Sequence, residues 1–300
     1  AEAVDSVRNF GATEWREVFA DESLQRLIDS ALVRNTDLRV ARLRVDEAEA
    51  SLKAAKLAYV PSFAFAPNGA VSSFDNSKAV WTYSVPVTAS WQVDLFGRLT
   101  NAKRRAKAAV EGSRAYHQAV RSRVIAGVAN SYYTLLMLDA QLAVAERTAE
   151  SWRESVETMR LMKEAGMATE AAVRQYEANL YSVQSSVLEL KDQIFTVENS
   201  LSAMLGSTPH RIERSTLEAQ QLPAELHTGV PVQLLAARPD VEYAEKTLVQ
   251  AFYATNEARA ALYPSISLSG SAGWTNSAGV AIVNPGKLLL SAAASLLQPM

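Results

Sequence analysis

The sequence predicts a mainly helical protein in which two long helices form an antiparallel coiled-coil hairpin and four β-strands occur in two pairs. Three observations support this fold class. Apolar residues recur at alternating steps of three and four along 124–204, two other regions alternate apolar and polar residues, and one helix–strand segment occurs twice. The first pattern predicts coiled-coil helices, the second predicts strands, and the third predicts a duplicated unit.

The composition is that of a folded chain, because 48% of the 300 residues are hydrophobic and 21% are charged. A net charge of -2 gives no long-range attraction to nucleic acid, so no nucleic-acid partner is predicted. The absence of cysteine excludes disulfides and thiol catalysis. No segment approaches the roughly 20 apolar residues of a membrane helix, and we expect any signal peptide to have been removed.

The hairpin is predicted by two heptad seams that are separated by a short turn. The first seam contains Val128, Leu135, Leu138, Leu142, Ala145, Ala149, Trp152, Val156 and Met159, and the second contains Val173, Tyr176, Leu180, Val183, Val187, Leu190, Ile194, Val197, Leu201 and Met204. We predict helices over 98–165 and 169–205, about 100 and 55 Å long at 1.5 Å per residue. Gly166 then caps the first helix and Thr169 begins the second. The hairpin alone leaves a dimeric coiled coil and an α-solenoid as alternatives.

The strand pairs are predicted by alternation with period 2. Residues 82–93 alternate polar and apolar, with the less regular run 61–74 as partner; residues 265–274 alternate likewise, with 288–297 as partner. Such alternation ordinarily indicates a sandwich strand with one buried face. Strands of about ten residues also suit a tilted membrane strand. In that case an aromatic girdle would consist of Trp81, Tyr83, Trp91 and Trp274, and a water-facing stripe of Ser265, Ser267, Ser269 and Ser271.

An internal repeat relates residues 37–62 to residues 240–265 without a gap. Both copies carry alanines seven residues apart, and both end in a Pro-Ser pair, Pro61-Ser62 and Pro264-Ser265, that begins a strand. Small residues at one heptad position allow neighbouring helices to approach closely. We predict that the two copies are structural equivalents and that their strands leave in the same direction.

Six short motifs follow one another along the chain: Trp-Arg-Glu-Val-Phe at 15–19, Leu-Gln-Arg-Leu-Ile at 24–28, Tyr-Val-Pro-Ser at 59–62, Trp-Gln-Val-Asp-Leu-Phe-Gly-Arg at 91–98, Arg-Pro-Asp at 238–240 and Leu-Tyr-Pro-Ser at 262–265. Their order resembles the TolC family of outer-membrane efflux proteins, and within it the lipoprotein branch that serves tripartite pumps. These motifs extend over nearly the whole chain.

The resemblance implies a subunit of a passive outer-membrane channel that extends into the periplasm, with no enzymatic activity and no cofactor or metal. Three subunits share a transmembrane β-barrel, to which each gives four strands, and an α-barrel of long coiled-coil helices. The implied partners are two further copies of the chain, a periplasmic adaptor, an inner-membrane pump and outer-membrane lipid. The family's second hairpin would follow residue 300, so the chain is expected to lack the C-terminal third. Lipidation is expected only for the precursor, because the branch's cysteine is absent.

The resemblance also implies a division of the chain. Residues 1–36 form an N-terminal equatorial segment and 206–229 an equatorial loop. The α-barrel contains 37–60, 98–205 and 230–262, and the β-barrel strands contain 61–97 and 264–300.

The hairpin turn is the candidate functional site, because the family closes its channel and docks the adaptor at the periplasmic helix tips. The residues in question are Glu164, Gly166, Met167, Thr169 and Glu170. An acidic residue that many relatives carry just beyond the turn is replaced by Ala172, so a gating carboxylate is not expected there.

Two other classes of protein remain as alternatives at this point. A periplasmic adaptor also has a long hairpin, but the repeated helix–strand unit is then unexplained. A cytoplasmic coiled-coil scaffold conflicts with the aromatic-rich alternating strands. Neither a metal site nor a phosphate loop is predicted, because His117, His210 and His227 are scattered and Gly270 and Gly273 lack a complete phosphate-binding pattern.

Overall fold

A computed structural model describes residues 14–73, 75, 78–220, 238–278 and 281–298. The predictions that concern 1–13, 221–237 and turn residues 74, 76 and 77 therefore lie outside the described residues. Within them, no helix is both long and apolar enough to cross a membrane.

The described elements form alternating groups of helices and strands. In chain order they are α1 (Trp15–Val18), α2 (Glu22–Arg34), α3 (Thr36–Leu57), β1 (Ser62–Phe65), β2 (Asn68–Ser72), β3 (Val80–Val93), α4 (Arg98–Glu164), α5 (Glu170–Met204), a short 3-10 helix (Leu217–Ala219), α6 (Pro239–Ala260), β4 (Ser265–Ala278) and β5 (Ala281–Leu297). The chain divides into two compact units, one made of Ala1–Arg42 and Tyr116–Pro239, the other of Leu43–Ala115 and Asp240–Met300.

The coiled-coil hairpin belongs to the first unit from Tyr116 onward, whereas the start of α4 belongs to the second. Helices α4 and α5, of 67 and 35 residues, begin and end within one residue of the predicted bounds. The two helices are antiparallel, since Lys191 pairs with Glu146 at 2.8 Å near one end and Arg160 with Glu177 at 2.7 Å near the other. Seam residues are buried or half-buried along both helices. The predicted hairpin is therefore confirmed.

The core of the first unit lies at the base of this hairpin. Leu24 and Ile28 of α2 pack in one apolar cluster with Tyr132 and Leu135 of α4 and Leu201 of α5, and all five are fully buried. Burial of a large aliphatic side chain is worth about 1.5–3 kcal/mol. This cluster therefore fastens the N-terminal segment to the hairpin.

The sheet belongs to the second unit and is antiparallel throughout. Strands β1 and β2 pair with successive parts of β3, which pairs with β4, which pairs with β5. The interruption between β1 and β2 contains Pro67, which has no backbone N–H to donate. The sheet is thus four strands wide, as predicted, although β5 begins seven residues earlier than the predicted partner run at 288.

The internal repeat is visible in the element bounds and in the hydrogen bonds. Helices α3 and α6 both contain 22 residues, and each is followed by a strand that begins at the Ser of a Pro-Ser pair. The turn after α3 has amide hydrogen bonds from Ala58, Tyr59 and Val60, and the turn after α6 has the three equivalent bonds. Because β1 and β4 both run antiparallel to β3, the two strands run in the same direction in the sheet, while the superposition of Pro61 on Pro264 stays a prediction.

The Asp-Leu-Phe-Gly-Arg motif is the junction between β3 and α4. The Asp94 carboxylate accepts hydrogen bonds from the amides of Leu99 at 3.0 Å and Thr100 at 2.8 Å, which caps the first turn of α4. Gly97 has a φ of 75°, a conformation that favours glycine. The motif therefore has a structural function as a sharp turn from strand to helix.

Candidate functional site

The sheet has one apolar and one polar face, because residues that pair across antiparallel strands share a face. The row Phe63, Ala89, Gly270 and Ala292 lies on the apolar face. The next row, Ser90 with Ser269, lies on the polar face. The register thus places the apolar positions of β3 from Val85 to Val93 beside apolar or small positions of β4.

Serine side chains line the polar face and bond to one another. The hydroxyl groups of Ser62 and Ser90 are 2.7 Å apart, those of Ser267 and Ser295 are 2.6 Å apart, and those of Ser271 and Ser291 are 2.7 Å apart. All four residues of the predicted stripe, Ser265, Ser267, Ser269 and Ser271, lie on this face, because they occupy the odd positions of β4.

The apolar face is exposed, as are most serines of the polar face. Phe63 is 73% exposed, Phe65 66%, Leu290 69% and Val87 47%. A water-soluble sheet ordinarily buries its apolar face against a core and exposes the polar one. The exposed apolar face therefore requires contact with apolar groups that are not among the described residues.

The predicted aromatic girdle lies on the same apolar face, at two levels. Trp81, Tyr83 and Trp274 lie toward one end of the sheet, and Trp91 lies at the end next to the helices. The indole N–H of Trp91 donates to the carbonyl oxygen of Tyr59 at 3.0 Å. Interfacial aromatic residues of membrane strands also occur at two levels, one at each surface of the membrane.

The hairpin tip is built by two capping motifs. Gly166 has a φ of 75°, and the amides of Gly166 and Met167 donate to the carbonyl groups of Lys163 and Met162, both at 2.9 Å, as in a Schellman motif. The Thr169 hydroxyl then accepts from the Ala172 amide at 3.3 Å and caps α5. Both predicted caps are confirmed, and they leave the Met167 side chain 78% exposed.

Charged residues next to the turn join the two helices. Glu170 pairs with Lys163 across the turn and with Arg174 along α5, and the hydrogen bond from Lys163 lowers the pKa of this carboxyl. The other predicted residue, Glu164, is exposed at the end of α4. Ala172, which stands at the expected acidic position, lies in the first turn of α5.

Sequence reasoning missed the buried carboxylate of Glu177. It lies between Arg160 at 2.7 Å and Arg174 at 2.8 Å, and the hydrogen bond from Arg160, followed by that from Arg174, lowers its pKa. Glu177 comes four residues after Val173 and three before Leu180, so it shares the inner face of α5 with them. This spacing is the sequence signal that identifies it.

Among the described residues, no group of three His, Cys, Asp or Glu side chains could bind a metal ion. His210 is engaged locally, with its Nδ1 atom 2.9 Å from the Thr208 carbonyl oxygen. His117 lies within α4, and His227 is outside the described residues.

Comparison with known proteins decides the family. The family profile described as "Outer membrane efflux protein" matches residues 27–207. The chain belongs to the outer membrane efflux protein family. Membership confirms the predicted fold class and the predicted location in the outer membrane, and it favours a channel subunit over the alternative of a periplasmic adaptor.

Individual members of the outer membrane efflux family support this assignment. The cation efflux system protein CusC of Escherichia coli K12 is 30% identical over 270 residues, which are 89% of this chain and 58% of the relative. The toluene efflux pump outer membrane protein TtgC of Pseudomonas putida is 31% identical over 86% of this chain and 55% of its own length. The chain thus spans less than two thirds of these relatives.

Solved structures show the same fold. The open state of the MtrE outer membrane channel of Neisseria gonorrhoeae superposes with a TM-score of 0.85 at 28% identity, over 99% of this chain and 68% of that one. The outer-membrane channel OprN superposes with a TM-score of 0.86 at 24% identity, over 99% and 68%. The duplicated helix–strand unit therefore belongs to an efflux-channel architecture.

Proposed function

We propose that this chain forms most of a subunit of an outer-membrane efflux channel, a passive duct that carries small molecules out of the periplasm and catalyses no reaction. The observation that carries the proposal is the two-faced sheet, with its apolar face exposed and its serines together on the opposite face. Family membership supports the same function. Because one named relative is a cation exporter and another a toluene exporter, similarity selects no particular cargo.

The sheet is proposed to be one third of a closed barrel of twelve strands. Four strands are too few to enclose an interior, and the outer edges of β1 and β5 have no strand partner among the described residues. Threefold symmetry would pair these edges and abolish them. The serine stripe would then face the water-filled lumen, where hydroxyl groups replace part of the hydration of a passing solute.

The helices 37–60, 98–205 and 230–262 are proposed to form the α-barrel. Helix α5 carries a second apolar stripe at heptad spacing, separate from the seam with α4: Tyr181, Leu188 and Phe195 are 63%, 68% and 61% exposed. A heptad stripe of this kind packs against another helix. Its partner is a helix of a neighbouring subunit or of the remaining chain.

The hairpin tip is proposed to dock the periplasmic adaptor that links the channel to an inner-membrane pump. Leu161, Met162 and Met167 are 62%, 43% and 78% exposed, and they lie beside the charged residues Glu164 and Glu170. Exposed flexible methionines suit a surface that repacks against a helical partner.

Two neighbouring substitutions in β3 test the barrel. Val87→Arg puts a charge on the apolar face, which costs about 2–4 kcal/mol near the middle of a bilayer, so it should prevent insertion. Thr88→Arg puts the same charge on the polar face and should leave an assembled channel with changed ion selectivity in planar bilayers. Normal insertion of Val87→Arg, or failure of Thr88→Arg alone, would refute the assignment of the two faces.

Adaptor docking is tested separately by efflux in cells that lack their own outer-membrane channel. Met167→Asp should abolish resistance to exported compounds while the purified protein keeps its oligomeric state. Ser151→Asp, at another exposed position on α4 away from the tip, is the matched control and should retain efflux. Full efflux by Met167→Asp would exclude the tip as the docking site.

A further inference from the structure

Basic residues are concentrated where the helices of the second unit meet the sheet. Residues 50–61, 94–110 and 252–264 contain eight lysines and arginines but two acidic residues, Asp94 and Glu257, although the whole chain has a net charge of -2. The eight are Lys53, Lys56, Arg98, Lys103, Arg104, Arg105, Lys107 and Arg259. All of them are exposed.

Most of these cations have no carboxylate partner among the described residues. Arg105 pairs with Glu257 at 3.3 Å and Lys107 with Glu111 at 3.8 Å, whereas the Asp94 carboxylate is occupied by the first amides of α4. The remaining six form no ion pair with any described residue, and we call them the basic belt: Lys53, Lys56, Arg98, Lys103, Arg104 and Arg259.

Three cations of the belt lie near the N-terminus of α4, where the Asp94 carboxylate already caps the helix. The N-terminus of a helix carries a partial positive charge that favours acidic residues nearby. Helix α4 instead has no acidic residue in its first turn, and Arg98, Lys103 and Arg104 lie within its first seven residues. An anionic partner at this end would relieve the repulsion among the cations, since the Asp94 carboxylate already offsets the helix dipole.

The belt begins where the apolar face of the sheet ends. Trp91, on that face, bonds to the Tyr59 carbonyl at 3.0 Å, and the Lys103 ammonium lies 5.2 Å from the centre of the Tyr59 ring. On α6, Tyr253 is 5.9 Å from the Arg104 guanidinium. Aromatic rings next to lysine and arginine mark the level of lipid head groups in membrane proteins.

An apolar groove lies on the sheet on the other side of Trp91. Small residues Ala89, Gly270 and Ala292 form its floor in one cross-strand row, and Phe63 and Leu290 stand beside it. The groove has a volume of about 530 Å³ and is open to the surroundings of the apolar face.

We propose that the basic belt binds the phosphate of an anionic glycerophospholipid whose acyl chain occupies this groove. Lysine and arginine bind phosphate oxygens through charge-assisted hydrogen bonds, and the apolar groove suits a hydrocarbon chain. This inference rests on the proposed function, since it requires the sheet to lie in a bilayer. It adds that basic residues bind the lipid head groups on the side of the membrane that faces the helices. This contact would fix how deeply the channel lies in the bilayer.

The test is native mass spectrometry of the full-length protein purified in detergent and titrated with phosphatidylglycerol or phosphatidylcholine of the same chain length. We expect the protein to retain phosphatidylglycerol preferentially, and this preference to fall as salt is raised. Since each basic residue near an anionic surface contributes about fivefold, Lys103→Gln with Arg104→Gln should lower the preference at least tenfold. Lys103→Arg with Arg104→Lys should keep it.

Arg39→Gln with Arg42→Gln is the matched control, because it removes two exposed charges from α3 outside the belt, and it should leave the preference unchanged. Equal retention of both lipids by the parent protein would overturn the belt while leaving the channel proposal intact. Retention of neither lipid, in a protein that is soluble without detergent, would instead contradict the proposed function. If the belt variant loses its oligomers without any change in lipid preference, the belt contacts a neighbouring subunit and not lipid, and the proposal is overturned.

Discussion

The phenol hydroxyl of the fully buried Tyr132 donates a hydrogen bond of 2.8 Å to the Asp21 carboxylate. Ser215 also donates to this carboxylate, and Gln220 does so at 2.8 Å, while the Ser23 amide binds it as the N-cap of α2. Burial raises the pKa of Asp21, but the hydrogen bonds from Ser215, Gln220 and Tyr132 outweigh it and lower the pKa to about 2. The ionised carboxylate thus joins α2, α4 and the segment after α5.

The first prediction is a loss of stability at low pH that depends on Asp21. Because its folded pKa of about 2 lies below the ordinary value of 3.8, its contribution is present above pH 4 and is lost as the pH falls toward 2. The contribution is roughly 1–2 kcal/mol, reduced by partial exposure. Thermal unfolding from pH 5 to 2 should show this slope, and Asp21→Asn should flatten it. An unchanged slope in the variant would assign the effect to other carboxyl groups.

The second prediction concerns Arg214, whose side chain is 9% exposed. Its guanidinium donates to Asp139 at 2.8 Å, to the Ile212 carbonyl at 3.0 Å, and to Glu198. Arg214→Met should destabilise the protein by about 2–4 kcal/mol, because it leaves Glu198 half-buried without its cation. Denaturant unfolding measures the loss, and Glu198→Gln in the same variant should recover part of it. Additive losses in the double variant would show that the two groups do not interact.

The sequence predicted the long helices and the strand faces because both depend on local periodicity. A strict heptad pattern located α4 and α5, and the alternation in β3 and β4 identified which side chains share a face. The start of β5 was predicted too late, since the turn between β4 and β5 has no Asn-Gly or Asp-Gly signal. Glu177 and the group formed by Asp21, Tyr132 and Ser215 were missed, because residues far apart in the chain meet only after folding.

The third prediction compares two glycines with positive φ. Gly166 has a φ of 75°, and an alanine Cβ at this position would meet no atom within 4 Å, so Gly166→Ala should cost only the backbone strain of about 1–2 kcal/mol. Gly206 has a φ of 64°, and its Cβ would lie 2.7 Å from the Arg34 carbonyl oxygen. Gly206→Ala should therefore reduce the melting temperature more than Gly166→Ala. Equal losses would show that the contact with α2 is adjustable.

The last prediction compares two glycines of β4 that lie three residues apart. A Cβ at Gly273 would lie 2.5 Å from the Cα atom of Pro86 and 2.7 Å from the Val85 carbonyl oxygen, whereas a Cβ at Gly270 would meet its nearest atom, the Ser291 carbonyl oxygen, at 3.5 Å. Pro86 lies directly opposite Gly273 in the register, so the missing side chain of Gly273 allows β3 and β4 to approach closely at this pair.

Gly273→Ala should therefore separate the two strands and destabilise the sheet by about 1–3 kcal/mol, while Gly270→Ala should be tolerated. The measurement is the temperature at which the detergent-purified oligomer dissociates in dodecyl sulfate. A lower temperature for Gly273→Ala alone is the expected result, because β3 and β4 join the two copies of the duplicated unit within one sheet. If the oligomers of both variants dissociate at the same temperature as those of the parent protein, the close contact at Pro86 does not limit assembly.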